Sequence, residues 1–336
     1  MNIFVCDQFY NNTIINTTGD YNICAGLLLL EKNFDNFKCI SDIEFNNNHL
    51  DLYAKVVDYF NSEINSITII QTITIPLLRD YPKKVKQYRY VVDIHGWDMN
   101  KISTDLILPY AYCYNTFNYR PRSNKYFFPH CVKYNIEFNK NSINKILVSG
   151  RGRKNTYRYP MRVFMYALSL KDDRIEYFKP DHSYREDIDK CEQITCGENF
   201  IKKLNQYRVC FSDDSTPHSP YIVCKFVEIL SSGALLLASL NYTQSYFAKM
   251  GFIDGEHYIS ISKEDYNEKI EYIFDEKNRE EIDKIRLSGY NLCNTYHTSE
   301  HRAMQLKEII ENPENVKKYT DGIGNTEYYM VNNIYK

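Results

Sequence analysis

An excess of charge of either sign is missing from this chain. Its 336 residues carry 41 basic and 43 acidic side chains, a net charge of −2. A general nucleic-acid binder needs a broad cationic surface, so that class is excluded, although a local basic pocket is not. The Cys-x-x-Cys spacing is missing too. The ten cysteines are scattered, with Cys191 and Cys196 the closest pair. That spacing argues against a metal knuckle or a disulfide framework and for reduced thiols in a cytoplasmic setting. The opening "MNIFVCDQFYNN" has neither the basic n-region nor the long apolar h-region of a secretory signal. The apolar run "AGLLLLE" (Ala25–Glu31) is far too short to span a bilayer, so no integral membrane segment is expected. No repeat of fixed period is present.

What the sequence does have is a globular balance, 43% hydrophobic and 25% charged. Its length exceeds what one hydrophobic core usually organises, so two domains are expected. Short apolar runs in the first part predict strands at Asn2–Cys6, Phe37–Ile40, Ser66–Thr72, Tyr90–Ile94, Asp105–Leu108 and Lys125–Phe128, with helices over Tyr21–Leu30 and Leu50–Ser62. After the polar stretch Asn139–Asn144, strands are predicted at Lys145–Ser149, Arg174–Phe178, Arg208–Ser212, Ala234–Ala238 and His257–Ser260. Helices alternate with them at Pro160–Leu168, Gly197–Asn205, Pro220–Ser231, Lys263–Phe274 and Glu280–Ile310. Alternating strands and helices imply parallel sheets. The expected division is a Rossmann-like domain over 1–138, a second over 139–312, and a polar tail over 313–336 that docks back on the first domain or stays loose.

The phrase "KFVEILSSGALLLAS" (Lys225–Ser239) is dense in information. Ile222, Phe226, Ile229 and Leu230 form one apolar stripe of a helix. Tyr221, Lys225, Glu228 and Ser232 recur on another face. Gly233 suits the left-handed position that ends a helix, and "ALLLA" reads as a strand buried on both faces. On this segment alone, Lys225 and Glu228 read as an exposed i,i+3 ion pair sooner than as a site.

From Asn141 to about Leu306 the order of motifs resembles the C-terminal half of glycosyltransferases of the GT-B fold. The nearest likeness is to bacterial and viral "glycosyl transferases group 1" and related spore-coat or capsule enzymes. Three stretches carry it. "ILVSGRGRKNTYRYPMR" (Ile146–Arg162) is similar to their strand–loop–helix opening with a Tyr-Pro-x-Arg helix start. "FIKKLNQYRVCFSDDSTPHSPYIVCKFVEILSSGALLLAS" (Phe200–Ser239) is similar to their donor-site block. "GFIDGEHYISIS" and "IRLSGYNLCNTYHTSEHRA" are similar to their usual ending.

The resemblance implies a GT-B architecture, two Rossmann-like domains facing a central cleft. It implies a glycosyltransferase that moves a sugar from a nucleotide-diphosphate sugar to a glycan or other hydroxyl acceptor, with no cofactor and no metal. Glu228 inherits the family's ribose-holding position, and Lys225 the basic position that faces the diphosphate. Chemistry agrees with this. Gly150 and Gly152 let the backbone approach a phosphate, and Arg151, Arg153 and Lys154 supply charge at the tip of a parallel strand. Thr216, His218, Ser219 and Tyr221 lie at a helix start expected near Pro220, whose free N–H groups suit an anion. Pro220 stands where many retaining members have the first Glu of Glu-x7-Glu, so the stereochemistry stays open. So do two other readings, a non-catalytic GT-B-like glycan- or nucleotide-binding module and a nucleotide-sugar epimerase.

Other signals are weaker. "HTSEH" (His297–His301) has the inverted zincin spacing, but only a short polar tail follows to supply another ligand. "SGRGRKN" has Asn155 where a dinucleotide motif needs its third glycine. "DID" (Asp187–Asp189) reads as a solvated loop. "VVDIHGWDMN" (Val91–Asn100) is the acceptor-side candidate. There a buried strand gives way to His95, Gly96, the single Trp97 and Asp98, and His95 or Asp98 suits a general base. The competing reading is a structural histidine beside a turn.

Overall fold

The computed structural model describes residues 2–6, 30–41, 68–71, 90–93, 106–109, 124–125, 130–133, 135–150, 159–178, 197–214, 222–241, 243–311, 316–320 and 327–331. They divide into two compact units, 1–129 with 299–336, and 130–298. The polar stretch 139–144 lies inside the second unit. There Asn139 donates from Nδ2 to the Asn205 carbonyl, and Arg286 Nη2 donates to the Asn139 carbonyl.

In the first unit, six strands form one sheet: β1 (Asn2–Cys6), β2 (Phe37–Ser41), β3 (Thr68–Gln71), β4 (Tyr90–Asp93), β5 (Leu106–Pro109) and β6 (Asn124–Lys125). Their order is β2-β1-β3-β4-β5-β6, with every pairing parallel. Residues 30–33 are helical, and the helix expected over Leu50–Ser62 lies outside the described residues.

The second unit holds β7 (Ile143–Ser149), β8 (Ile175–Phe178), β9 (Tyr207–Asp213), β10 (Leu235–Ser239) and β11 (Ile259–Ser260). This sheet too is parallel, in the order β11-β10-β9-β7-β8. The chain therefore reverses its winding between β7 and β9. The helices are α1 (Pro160–Ser169), α2 (Gly197–Asn205), α3 (Cys224–Ser231), α4 (Gln244–Lys249), α5 (Tyr266–Phe274) and α6 (Arg279–Tyr296). Strand periodicity sends Ile146, Val148, Val209, Phe211, Leu235 and Leu237 to one face, where they pack with Met161 and Met165 of α1, Ile270 and Ile273 of α5, and Ile282 and Ile285 of α6. Intervening residues point the other way: the Cys210 thiol reaches the Leu204 carbonyl of α2 at 3.7 Å.

Two expected helices differ in their limits by more than a turn, and α4 has no counterpart among the expected helices. α3 begins at Cys224, not near Pro220, because Ile222 and Val223 are buried and Val223 is extended (ψ 145°) with no side-chain cap. The long helix expected over Glu280–Ile310 is two, α6 and α7 (Ser299–Glu311). The break falls where the His297 carbonyl accepts from Val132 N and Thr298 bridges to Val132. As expected, α3 ends in a left-handed glycine: Gly233 has φ 79°, and a Cβ there would stand 2.8 Å from the Phe138 ring. β12 (Val316–Thr320) and β13 (Glu327–Val331) form an antiparallel pair in the first unit. Among the described residues, no helix is long and apolar enough to cross a membrane.

Candidate functional site at the β7–β9 reversal

In a parallel sheet, the carboxyl ends of the strands where the winding reverses leave a crevice that binds ligands. Here those ends are Ser149 of β7 and Asp213 of β9. The chain leaves β7 through Gly150 in a left-handed conformation, φ 109°. Its carbonyl accepts from the Tyr177 hydroxyl at 2.6 Å, which fixes the peptide beyond the strand. The side of Gly150 that lacks a Cβ faces two cations. A Cβ built there would lie 3.0 Å from Arg162 Nη1 and 3.1 Å from Lys225 Nζ.

Lys225 sits in the first turn of α3, and its Nζ donates to the Ser149 carbonyl at 2.9 Å. The Phe200 ring lies 5.9 Å from that ammonium. Arg162 comes from the first turn of α1. Its backbone N–H and its Nη2 both donate to Asp213, at 2.8 and 2.7 Å. Both partners are buried, with side-chain exposures of 8% and 1%. The Tyr159 ring lies 4.0 Å beneath the guanidinium carbon. Pro160 opens α1 because the first helical turn needs no N–H and a fixed φ suits it.

Charge in this cluster is strongly perturbed. Burial, helped by Arg162, pulls the Lys225 ammonium down to about 7, against the pull of Glu228, Asp213 and Cys210. Burial pushes Glu228 up to about 6, with Lys225 and a hydrogen bond from Cys224 holding it back. Burial also raises Asp213, and the neighbouring Arg162 opposes this. Lys225 and Glu228 are both half-buried and form no direct ion pair, so the exposed i,i+3 pair is not what the helix presents. The arrangement leaves cationic donors where two strand tips meet, a place suited to an anion.

Of the residues singled out in the sequence, the structure brings Gly150 and Lys225 together and puts Glu228 one turn further along α3. Arg151, Gly152, Arg153, Lys154, Thr216, His218, Ser219 and Tyr221 lie outside the described residues, as do His95, Asp98 and Asp187–Asp189. Sequence reasoning missed Arg162 and Asp213 as site residues. The Tyr-Pro-x-Arg start and the carboxylate ending "FSDD" were visible, but 51 residues separate the partners. His297 is fully buried, its Nε2 2.9 Å from the Met250 carbonyl and its ring stacked on Phe252, so it serves the core.

Comparisons with known proteins bear on the fold. Residues 175–308 match the family described as glycosyl transferase-like, less than half of the chain. No curated protein sequence matches. Among solved structures, HepE of Anabaena in complex with UDP and glucose is 12% identical with a TM-score of 0.50, covering 92% of this chain and 99% of its own. The pneumococcal O-GlcNAc transferase GtfA, in complex with UDP and GlcNAc, is 12% identical with a TM-score of 0.46, covering 77% of this chain. TarM of S. aureus is also 12% identical, with a TM-score of 0.47 and 78% of this chain covered. This chain spans about 60% of the length of GtfA and 59% of TarM. In fold the chain is a GT-B protein resembling glycosyltransferases of that class, and the glycosyl transferase-like sequence runs over residues 175–308.

Proposed function

We propose that this chain transfers a sugar from a nucleotide-diphosphate sugar to a glycan or other hydroxyl acceptor, binding the donor at the β7–β9 strand tips. The observation that carries the reading is the Lys225 ammonium, anchored on the Ser149 carbonyl over a left-handed Gly150 where the winding reverses. A cation poised where the chain turns away from a strand tip suits a diphosphate. The glycosyl transferase-like match over 175–308 covers Lys225 and Glu228, and the fold-level likeness to HepE, whose structures hold UDP and glucose, favours the same class of donor.

In the reaction, the bond between the anomeric carbon and the diphosphate oxygen breaks and the nucleotide leaves with the electron pair. The acceptor oxygen bonds to the sugar and gives its proton to a base. Lys225 stabilises the charge that develops on the leaving diphosphate, work that another transferase can assign to a metal. Glu228 holds the ribose hydroxyls, and Arg151, Arg153 and Lys154 extend the cationic surface. The acceptor-side base is His95 or Asp98.

The test is to incubate the full chain with UDP-, GDP- and ADP-sugars and a mixed set of hydroxyl acceptors, following release of nucleoside diphosphate. Release from one donor class supports the reading. Tight nucleotide binding without release makes the chain a binding module, and release without binding at these strand tips moves the site elsewhere.

A further inference from the structure

A buried ion pair that serves only the fold normally satisfies its guanidinium, because an unmatched buried N–H costs as much as a lost hydrogen bond. Arg162 does not fit that description. A guanidinium has five N–H bonds in a planar fork. Asp213 takes one of them, from Nη2, and spends its other oxygen on the Arg162 backbone N–H rather than completing a two-toothed grip. Nε is buried without an acceptor among the described residues. Among those residues Nη1 has no acceptor either, and it faces Gly150, 3.0 Å from where a Cβ would be. Lys225 Nζ stands 3.1 Å from that same point. Two like charges thus both lie about 3 Å from the place of a missing methyl group, and among the described residues only one carboxylate, Asp213, directly pairs with either. A strand-tip site with two cationic heads and unmet donors is built for an anion with several oxygens.

We infer that Arg162, held in place by Asp213, is a phosphate ligand of the donor site together with Lys225, its Nη1 meeting an oxygen of the donor diphosphate. The inference rests on the donor reading above. The planar fork matters to it. A guanidinium anchored through Nη2 aims Nη1 at a fixed point, which a lysine ammonium on a flexible stem does not. Filling the site also relieves the repulsion between the two cations.

The experiment compares wild type with Arg162→Lys and with the double variant Arg162→Gln/Asp213→Asn, which removes both buried charges together. Calorimetric titrations use UDP, GDP and ADP, with inorganic pyrophosphate and the free nucleosides alongside. The expected result is a ten- to hundredfold loss of diphosphate affinity in both variants, the range for a hydrogen bond to a charged group, with nucleoside affinity within twofold of wild type. Wild type that binds a diphosphate while Arg162→Lys binds it equally well overturns this inference and leaves the donor reading standing. Wild type that binds no diphosphate overturns the donor reading, and this inference falls with it. Should the double variant not fold, a structure of wild type with the bound diphosphate decides. A phosphate oxygen within hydrogen-bonding distance of Nη1 supports the inference, and phosphates out of reach of it refute it.

Discussion

Replacing Gly150 by alanine perturbs the site through one methyl group, and the structure sets the size of the effect. Gly150 has φ 109°, a region that side chains with a Cβ rarely adopt. Holding alanine there costs about 1–3 kcal/mol of backbone strain. The methyl would also lie 3.0 Å from Arg162 Nη1 and 3.1 Å from Lys225 Nζ, closer than comfortable contact. Neither head retreats freely, since Arg162 is tied to Asp213 and Lys225 to the Ser149 carbonyl. Releasing the lysine bond adds about 1 kcal/mol. The expected loss of stability is therefore about 2–4 kcal/mol, read from urea or thermal unfolding of the full chain. Diphosphate affinity should fall at least tenfold, because the methyl takes up space within contact distance of both cations. A Gly150→Ala protein with wild-type stability and wild-type affinity would refute both the strain argument and the placing of the anion.

Other consequences follow from the same geometry. Because the free Lys225 ammonium titrates near 7, its charge is lost as pH rises above that value, and diphosphate affinity should fall by up to tenfold per pH unit. A nucleotide sugar is the right probe here, since a terminal phosphate titrates itself near pH 6. Lys225→Arg, charged at every working pH, should flatten the profile, and an unchanged slope would acquit Lys225. The sign for folding is opposite. Between about 7 and the ordinary lysine value the unfolded chain binds the extra proton, so Lys225 makes stability rise with pH. Glu228→Ala should weaken nucleotide binding by about 1.5–3 kcal/mol, and a folded variant of unchanged affinity would remove Glu228 from the site. Gly289→Ala tests the fold alone. Its Cβ would stand 2.3 Å from the His257 carbonyl and 2.7 Å from Leu230, and overpacking of this kind costs about 1–3 kcal/mol, so an unaltered melting temperature would contradict the packing of α6.

Strand positions were legible in the sequence because a strand buried on both faces must be a short, nearly continuous apolar run. Asn2–Cys6 has the expected limits, and "ALLLA" (Ala234–Ala238) overlaps β10, one residue further on, with every residue buried. Gly233 was legible because a helix that stops before a strand needs a left-handed residue. Helix boundaries set by tertiary contacts were not. Val132 lies more than 160 residues before His297 along the chain, and nothing near His297 announces that this segment will break the helix. Likewise Ile222 fits the apolar stripe of a helix but is drawn into the core with Val223 ahead of α3. At the candidate site, motif order singled out Gly150, Lys225 and Glu228, of which the first two meet at the tip of β7. Arg162 and Asp213 acquire meaning only when β7 and β9 lie side by side.

The central claim is that the strand tips around Gly150 and Lys225 hold a nucleoside diphosphate. Its most direct measurement is a thermal-unfolding screen of the full chain against UDP, GDP, ADP and their nucleosides, with Lys225→Ala as the control. A diphosphate present at 100 times its Kd should stabilise wild type by about 2.7 kcal/mol, with a markedly smaller shift for the nucleoside and for the variant. No shift with any diphosphate, or a shift that Lys225→Ala retains in full, would contradict the account.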